Sequence, residues 1–256
     1  MLLVLATTAL DLFIVAGQSN AVGHGATASA LTPSAGSSFD IYNQTFKNLA
    51  DPVGNADLGS AWPKYCTDYY AGFTRKTAIL GTAVDGSAQA AAASSDNWDL
   101  TGSLYANMVT KTQTRIEYLN SLGITVTLRG ILWDQGERDA TAIDTALITK
   151  AVYKAALENM ITRIQVDFPG LILYVSRTGA PNTGDTAGFV DVRAAQDEVC
   201  TASAFATMAF TDAVNFPGAG KMQDTYHYTT VGYNEMGAGM AASVILDNPT
   251  GIVYAA

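Results

Sequence analysis

Histidine is scarce in this chain: His24 and His227 are the only two among 256 residues. That excludes a histidine-rich metal centre and confines any imidazole chemistry to two positions. Cysteine is equally rare, with Cys66 and Cys200 far apart and no CxxC or His-linked spacing. A disulfide would form only if folding brought them together, and two buried free thiols are the expectation. Charged residues make up only 14%, and the 23 acidic against 14 basic residues give a formal charge of −9. A broad basic surface for nucleic acid is therefore excluded, because phosphate contacts need clustered Lys and Arg. A neutral sugar would be indifferent to this charge, whereas an anionic polymer would need a local cation such as Arg138. Long hydrophobic runs are missing too. Met1 to Leu10 is apolar but stops at Asp11, too short to span a bilayer, so no membrane partner is expected. It has no basic start and little room for a cleavage site before the following strand, and reads as a mature N-terminal segment.

What the chain does have is apolar content, 48% by residue, enough to bury the core of a globular α/β domain. With neither internal repeat nor long linker, residues 1–256 read as a single domain. Leu12 to Ala16, Ala78 to Val84, Val126 to Trp133 (broken by Gly130), Leu171 to Val175 and Ala206 to Phe210 read as strands. Helical spacing runs through Leu104 to Leu122, Ile143 to Val166, Asp191 to Cys200 and Thr230 to Leu246. Gly23 to Ser60 reads as long loops with short helical pieces, and the small residues up to Ala93 as an irregular loop before Trp98. Strands alternating with helices predict parallel βαβ units: an α/β fold, a three-layer α/β/α sandwich with a doubly wound, mostly parallel, flavodoxin-like sheet.

The most informative stretch is Asp11-Leu-Phe-Ile-Val-Ala-Gly-Gln-Ser19-Asn20. An apolar run ends abruptly at Gly17 and delivers a serine into a turn, at the sheet edge where ligand crevices form. Near the other end, Asp224-Thr-Tyr-His227 supplies a carboxylate and an imidazole. A serine hydroxyl is a poor nucleophile near neutral pH and needs a base to take its proton. His227 fits that role, with Asp224 fixing its tautomer and stabilising the imidazolium. Taken singly, Ser19 could be a helix N-cap, His227 a satisfied polar residue and Asp224 a solvated carboxylate. The turn is not a GxSxG elbow, since Ala21 stands where the last glycine would be, which argues against a lipase-type fold.

Gly17-Gln18-Ser19-Asn20, Trp133-Asp134-Gln135-Gly136-Glu137-Arg138-Asp139 and Asp224-Thr-Tyr-His227, in that order, resemble the SGNH hydrolase superfamily. Within it they resemble the sialate O-acetylesterase and acetylxylan-esterase-like branch of carbohydrate esterases, and the likeness spans nearly the whole chain. The resemblance implies a serine esterase that removes O-acetyl groups from a carbohydrate through Ser19, Asp224 and His227, without cofactor or metal. It implies an oxyanion hole from the backbone N–H groups of Ser19 and Gly86 and the side-chain amide of Gln135. Asn20 would pin the nucleophile turn, and Glu137 would orient the site unless it simply forms a surface pair with an arginine. Arg138 stands where the family commonly has a small residue, and so marks a substrate difference. Trp98, Trp133 and Tyr226 are candidates for stacking on sugar faces, although Trp133 reads equally as core. His24, close after Ser19, could line the cleft, but a solvated loop histidine is the expectation. An esterase or thioesterase for small non-sugar esters, or a carbohydrate-binding module without turnover, are the alternatives. The low charge and the abundance of Thr, Ser and Gly fit an extracellular module, from a secreted glycan-degrading enzyme or a phage tail protein.

Overall fold

The computed structural model describes residues 8–27 and 31–256; most of the N-terminal segment Met1–Leu10 discussed above lies outside them. One eight-stranded sheet forms the middle of the molecule, in the order β3-β2-β4-β1-β5-β6-β7, with β8 added to β5. The strands are β1 (Thr8–Gly17), β2 (Ser38–Asp40), β3 (Lys47–Asn48), β4 (Thr77–Gly81), β5 (Ile124–Asp134), β6 (Leu173–Ser176), β7 (Ala206–Phe210) and β8 (Ile252–Tyr254). The pairs β2–β4, β4–β1, β1–β5, β5–β6 and β6–β7 are parallel, while β3 and β8 run antiparallel to their neighbours. The helices are α1 (Ser19–Val22), α2 (Trp62–Phe73), α3 (Ser103–Ser121), α4 (Glu137–Asp144), α5 (Lys150–Asp167), α6 (Ala187–Ala202) and α7 (Thr230–Asp247).

Strand alternation splits the core into two layers. Leu10, Leu12, Ile14 and Ala16 of β1 face one way and pack with Tyr105 and Met108 of α3, Leu157 and Ile161 of α5 and Val192 of α6. Phe13 and Val15 face the other way, into Trp62, Tyr65 and Tyr69 of α2 and Met236, Met240 and Val244 of α7. Three layers result, as the sequence predicts. Strand β1 lies between β4 and β5, so the chain leaves it first toward one side of the sheet and later toward the other. Its carboxyl end is therefore the topological switch point, where α/β sheets open a crevice.

The differences from the sequence reading have local causes. Gly130 does not break its strand. The β1–β5 register shifts by one residue there, setting Leu12 opposite Leu128 and Phe13 opposite Gly130. Arg129 is thus bulged out of the ladder, and its side chain reaches Asp11 and the carbonyls of Pro249 and Thr250. The single helix expected over Ile143 to Val166 is two helices. Ala146 takes a left-handed conformation after α4, and the Thr149 hydroxyl caps α5 by accepting from Val152 N–H. The described residues of the Gly23–Ser60 stretch include β2 and β3, two short strands that the sequence reading did not expect. Helix α7 tolerates its glycines because α2 crosses closely: a Cβ on Gly237 would lie 2.3 Å from the Ala61 carbonyl oxygen. Cys66 is a buried free thiol, and Cys200 a partly buried one. Among the described residues, no helix is long and apolar enough to cross a membrane, and no cluster of three His, Cys, Asp or Glu side chains could hold a metal ion.

Candidate active site

Ser19 opens α1 directly after β1. Gly17 has φ of 124°, and a Cβ there would lie 1.9 Å from the Asp134 carbonyl oxygen, so only glycine lets β1 turn this close to β5. The Gln18 N–H donates to that same carbonyl at 2.9 Å. The Gly17 carbonyl accepts from Val84 N–H, the Ser87 hydroxyl and the Trp98 indole N–H, bracing the turn from behind. Ser19 lines a cavity of about 360 Å³ together with Gln18, His24, Asp85, Gly86, Glu137, Arg138, Thr141, Tyr226 and His227. Residues far apart in sequence, from the first strand, the loop after β4, the start of α4 and the loop before α7, therefore meet in one opening.

His227 reaches the cavity from that last loop. Its Nδ1 lies 2.7 Å from Asp224 Oδ2, while Asp224 Oδ1 accepts from the backbone N–H of Tyr226 and of His227, each at 2.8 Å. Burial works to raise the Asp224 pKa, but the bonds from the His227 ring and the two N–H groups outweigh it and hold the carboxyl below its ordinary value. Asp224 is thus a fixed anion against one ring nitrogen, which leaves Nε2 as the nitrogen available to a substrate or nucleophile. No hydrogen bond joins Ser19 to His227 among the described residues; the structure brings them together as walls of one cavity.

Asn20 ties these parts to one another. Fully buried, it donates from Nδ2 to Glu137 Oε1 at 2.6 Å and to the Tyr226 carbonyl at 3.0 Å, and accepts from the Tyr233 hydroxyl at 2.9 Å. Glu137 is 5% exposed and forms no surface pair with an arginine among the described residues. Burial raises its pKa, and that of the adjacent fully buried Asp134 as well.

The amide side chains differ from expectation. Gln135 is fully buried and does not line the cavity; its Nε2 donates to Asp139 Oδ2 at 2.5 Å, with longer contacts to Gln18 Oε1 and the Ser87 carbonyl. Its N–H groups are spent inside the protein, so the oxyanion role assigned to Gln135 is corrected on geometry. The neighbouring Gln18 is placed for it. Gln18 Oε1 accepts from Gln135 Nε2, Gly136 N–H and Arg138 N–H, which fixes which end of the amide is oxygen. Gln18 Nε2 makes no hydrogen bond among the described residues, and Gln18 lines the cavity. The backbone N–H groups of Ser19 and Gly86 are likewise unengaged among the described residues, and both residues face the cavity.

The aromatic expectations separate. Trp98 is fully buried, its indole N–H bonded to Ser87 and Gly17, so it braces the turn and cannot stack on a ligand. Trp133 is also fully buried, edge-on to Trp98 at 5.2 Å, and belongs to the core. Tyr226 is 40% exposed on the cavity wall, its ring parallel to Phe189. Arg138 is exposed at the rim, with Nε on the Ala93 carbonyl and its terminal nitrogens unpaired among the described residues. His24, expected in solvent, instead lies in the cavity with its ring against His227. It is half-buried there, in the cleft position that its closeness to Ser19 allowed, and its contacts with His227 and Asp85 are made across the fold.

The fold has solved relatives. A protein of Arabidopsis thaliana is 17% identical with a TM-score of 0.69, covering 93% of this chain and 98% of that one. NanS is 12% identical with a TM-score of 0.65, covering 96% and 99%. A carbohydrate acetylesterase from Xanthomonas citri is 17% identical with a TM-score of 0.57, covering 94% of this chain and 57% of its own. No curated protein matches the chain. The profile described as carbohydrate esterase, sialic acid-specific acetylesterase, matches residues 9–246, so this chain belongs to that family of hydrolases acting on esters.

Proposed function

We propose that this protein is a serine esterase that removes acetyl groups from the hydroxyls of a carbohydrate, with Ser19 as nucleophile and His227 as base. The observation that carries the reading is the convergence of Ser19 and the Asp224-anchored His227 on one cavity at the sheet's switch point. His227 Nε2 takes the Ser19 proton as the hydroxyl oxygen attacks the acetyl carbonyl carbon. The negative charge developing on the carbonyl oxygen is met by the N–H groups of Ser19 and Gly86 and by Gln18 Nε2. Collapse of the tetrahedral intermediate breaks the ester bond, and the imidazolium returns the proton to the departing sugar oxygen. Water, deprotonated by the same imidazole, then cleaves the acetyl-serine and releases acetate. Asp224 stays ionised throughout and stabilises the imidazolium.

The cavity supports a sugar ester. It is open and lined by Tyr226, whose exposed ring can lie against a sugar face, and by the free guanidinium end of Arg138. Acetate release from a panel of O-acetylated glycans, wild type beside Ser19→Ala, tests this. Serine-dependent release from one glycan class is the expected result. Serine-dependent cleavage of p-nitrophenyl acetate alone would replace it with a small-ester reading, and inertness toward both with a binding module.

A further inference from the structure

The chain's only two histidines lie face to face: the ring centroids of His24 and His227 are 4.2 Å apart and the planes 22° from parallel. His24 carries its own carboxylate, with Nε2 3.1 Å from Asp85 Oδ1. Two histidine–carboxylate pairs, His227–Asp224 and His24–Asp85, are thus stacked on the wall of one cavity. The contact is built. The His24 N–H donates to the Tyr233 hydroxyl, which in turn donates to Asn20 beside the nucleophile. The His24 carbonyl accepts from Gln223 Nε2, while Gln223 N–H donates to the His227 carbonyl. Gln223 therefore ties the backbones of the two histidines to one another, and Tyr233 ties that of His24 to Asn20.

We propose that His24, held by Asp85, is a positioning residue for the esterase reaction: it supports the face of the His227 imidazole and, when charged, keeps a second proton off it. The proposal rests on His227 being the base. A flat ring against one face limits rotation about the His227 side-chain bonds, complementing Asp224, which acts in the ring plane. Charge acts in the same geometry, since two imidazolium rings in van der Waals contact repel. The groups facing His24 are Asp85, Asp224, Asp57 and the His227 ring; those facing His227 are Asp224, Asp85, His24 and Glu137. Asp85 foremost, opposed by burial, raises the His24 pKa above its ordinary value, and His24 in return lowers that of Asp85. Protonation of His24 thus begins at higher pH than for a free histidine, and its charge is present over the acidic range in which a base must stay neutral.

With only two histidines, isotope-labelled imidazoles give a direct readout by NMR. In the wild type, each ring's titration curve should deviate from a single-site curve as the other titrates; two independent single-site curves would overturn the proposal without any variant. His24→Phe keeps a ring in the stack and removes its charge. His227 should then take up its proton at higher pH than in the wild type. The ratio of kcat/KM at about pH 5.5 to that at about pH 8 should drop about fivefold, the scale of one like charge at this separation in a solvated site. Superimposable His227 titrations in wild type and His24→Phe would contradict it. His24→Ala, which removes the ring as well, should lower kcat more than it raises KM and abolish the ring-current displacement of the His227 ring protons. The same assays with Ser19→Ala keep the readings apart: serine-independent turnover sinks the esterase assignment, while the imidazole titrations still decide this one.

Discussion

At the scale of single residues, the site depends on which end of each amide faces the cavity. Gln18 and Gln135 both sit in blocks that resemble the carbohydrate esterases, and the resemblance points to Gln135 as the oxyanion donor. In the structure Asp139 draws the Gln135 N–H groups inward, and the N–H groups at the start of α4 hold the Gln18 oxygen, which favours Gln18 as the donor proposed above. Gln18→Ala is therefore predicted to lower kcat by about 100- to 1000-fold with little change in KM, the usual loss for one oxyanion donor. Equal losses in kcat and stability from Gln135→Ala, with Gln18→Ala silent, would reverse this assignment. Arg138→Ala should raise KM several-fold on an acidic glycan and leave kcat near the wild-type value, because its backbone bond to Gln18 survives the substitution. The meeting of Ser19, His227 and Asp224 at one cavity was legible as an expectation because each falls in a short block of distinctive residue types. A place in the cleft was open to His24, but its contacts were not legible, because its partners Asp85, Tyr233 and Gln223 lie 61, 209 and 199 residues away.

At the scale of elements, α4 and the loop after β4 act as one unit through Asp139. This fully buried carboxylate accepts from the N–H groups of Gln89 and Ala90 and from Gln135. Burial pushes its pKa up to about 6 despite those three bonds. Because the folded value lies above the unfolded one, the contribution of this group to stability is fully present below about pH 4 and is lost as pH rises through 6. Urea unfolding should show the wild type losing about 1–2 kcal/mol more than Asp139→Asn between pH 5 and 7; parallel pH profiles would contradict it. The central strands were legible for the opposite reason to His24. Buried on both faces, β1, β4 and β6 are nearly continuous apolar runs, and β5 and the partly buried β7 are largely so. The short strands β2, β3 and β8 have no such signature and exist only through pairing with distant partners. Helix α2 shows Trp62, Tyr65, Cys66 and Tyr69 at helical spacing, a signal present in the sequence but masked by the polar residues between them.

At the scale of the whole molecule, the cavity edge and the opposite edge of the sheet are held by different means. The far edge is closed by Arg129, bulged from β5, which binds buried Asp11 of β1 and the carbonyls of Pro249 and Thr250 ahead of β8. Asp11 also accepts from the Tyr69 hydroxyl of α2 at 2.6 Å. Arg129→Met removes the nearer cation and leaves Asp11 with Arg75 at 4.0 Å and the Tyr69 hydroxyl, so it should cost roughly 1–3 kcal/mol in chemical denaturation while kcat/KM of the folded fraction stays within about twofold. Losses in activity matching those in stability would show that the two edges are not separable in this way.

The central claim is that an acetyl group passes through Ser19. Rapid acid quench during turnover of p-nitrophenyl acetate, followed by mass spectrometry of the digested protein, reads this directly. A single acetyl adduct on the peptide carrying Ser19, absent from Ser19→Ala along with turnover, is the predicted result. An adduct elsewhere, or acetate release that continues undiminished in Ser19→Ala, would contradict it.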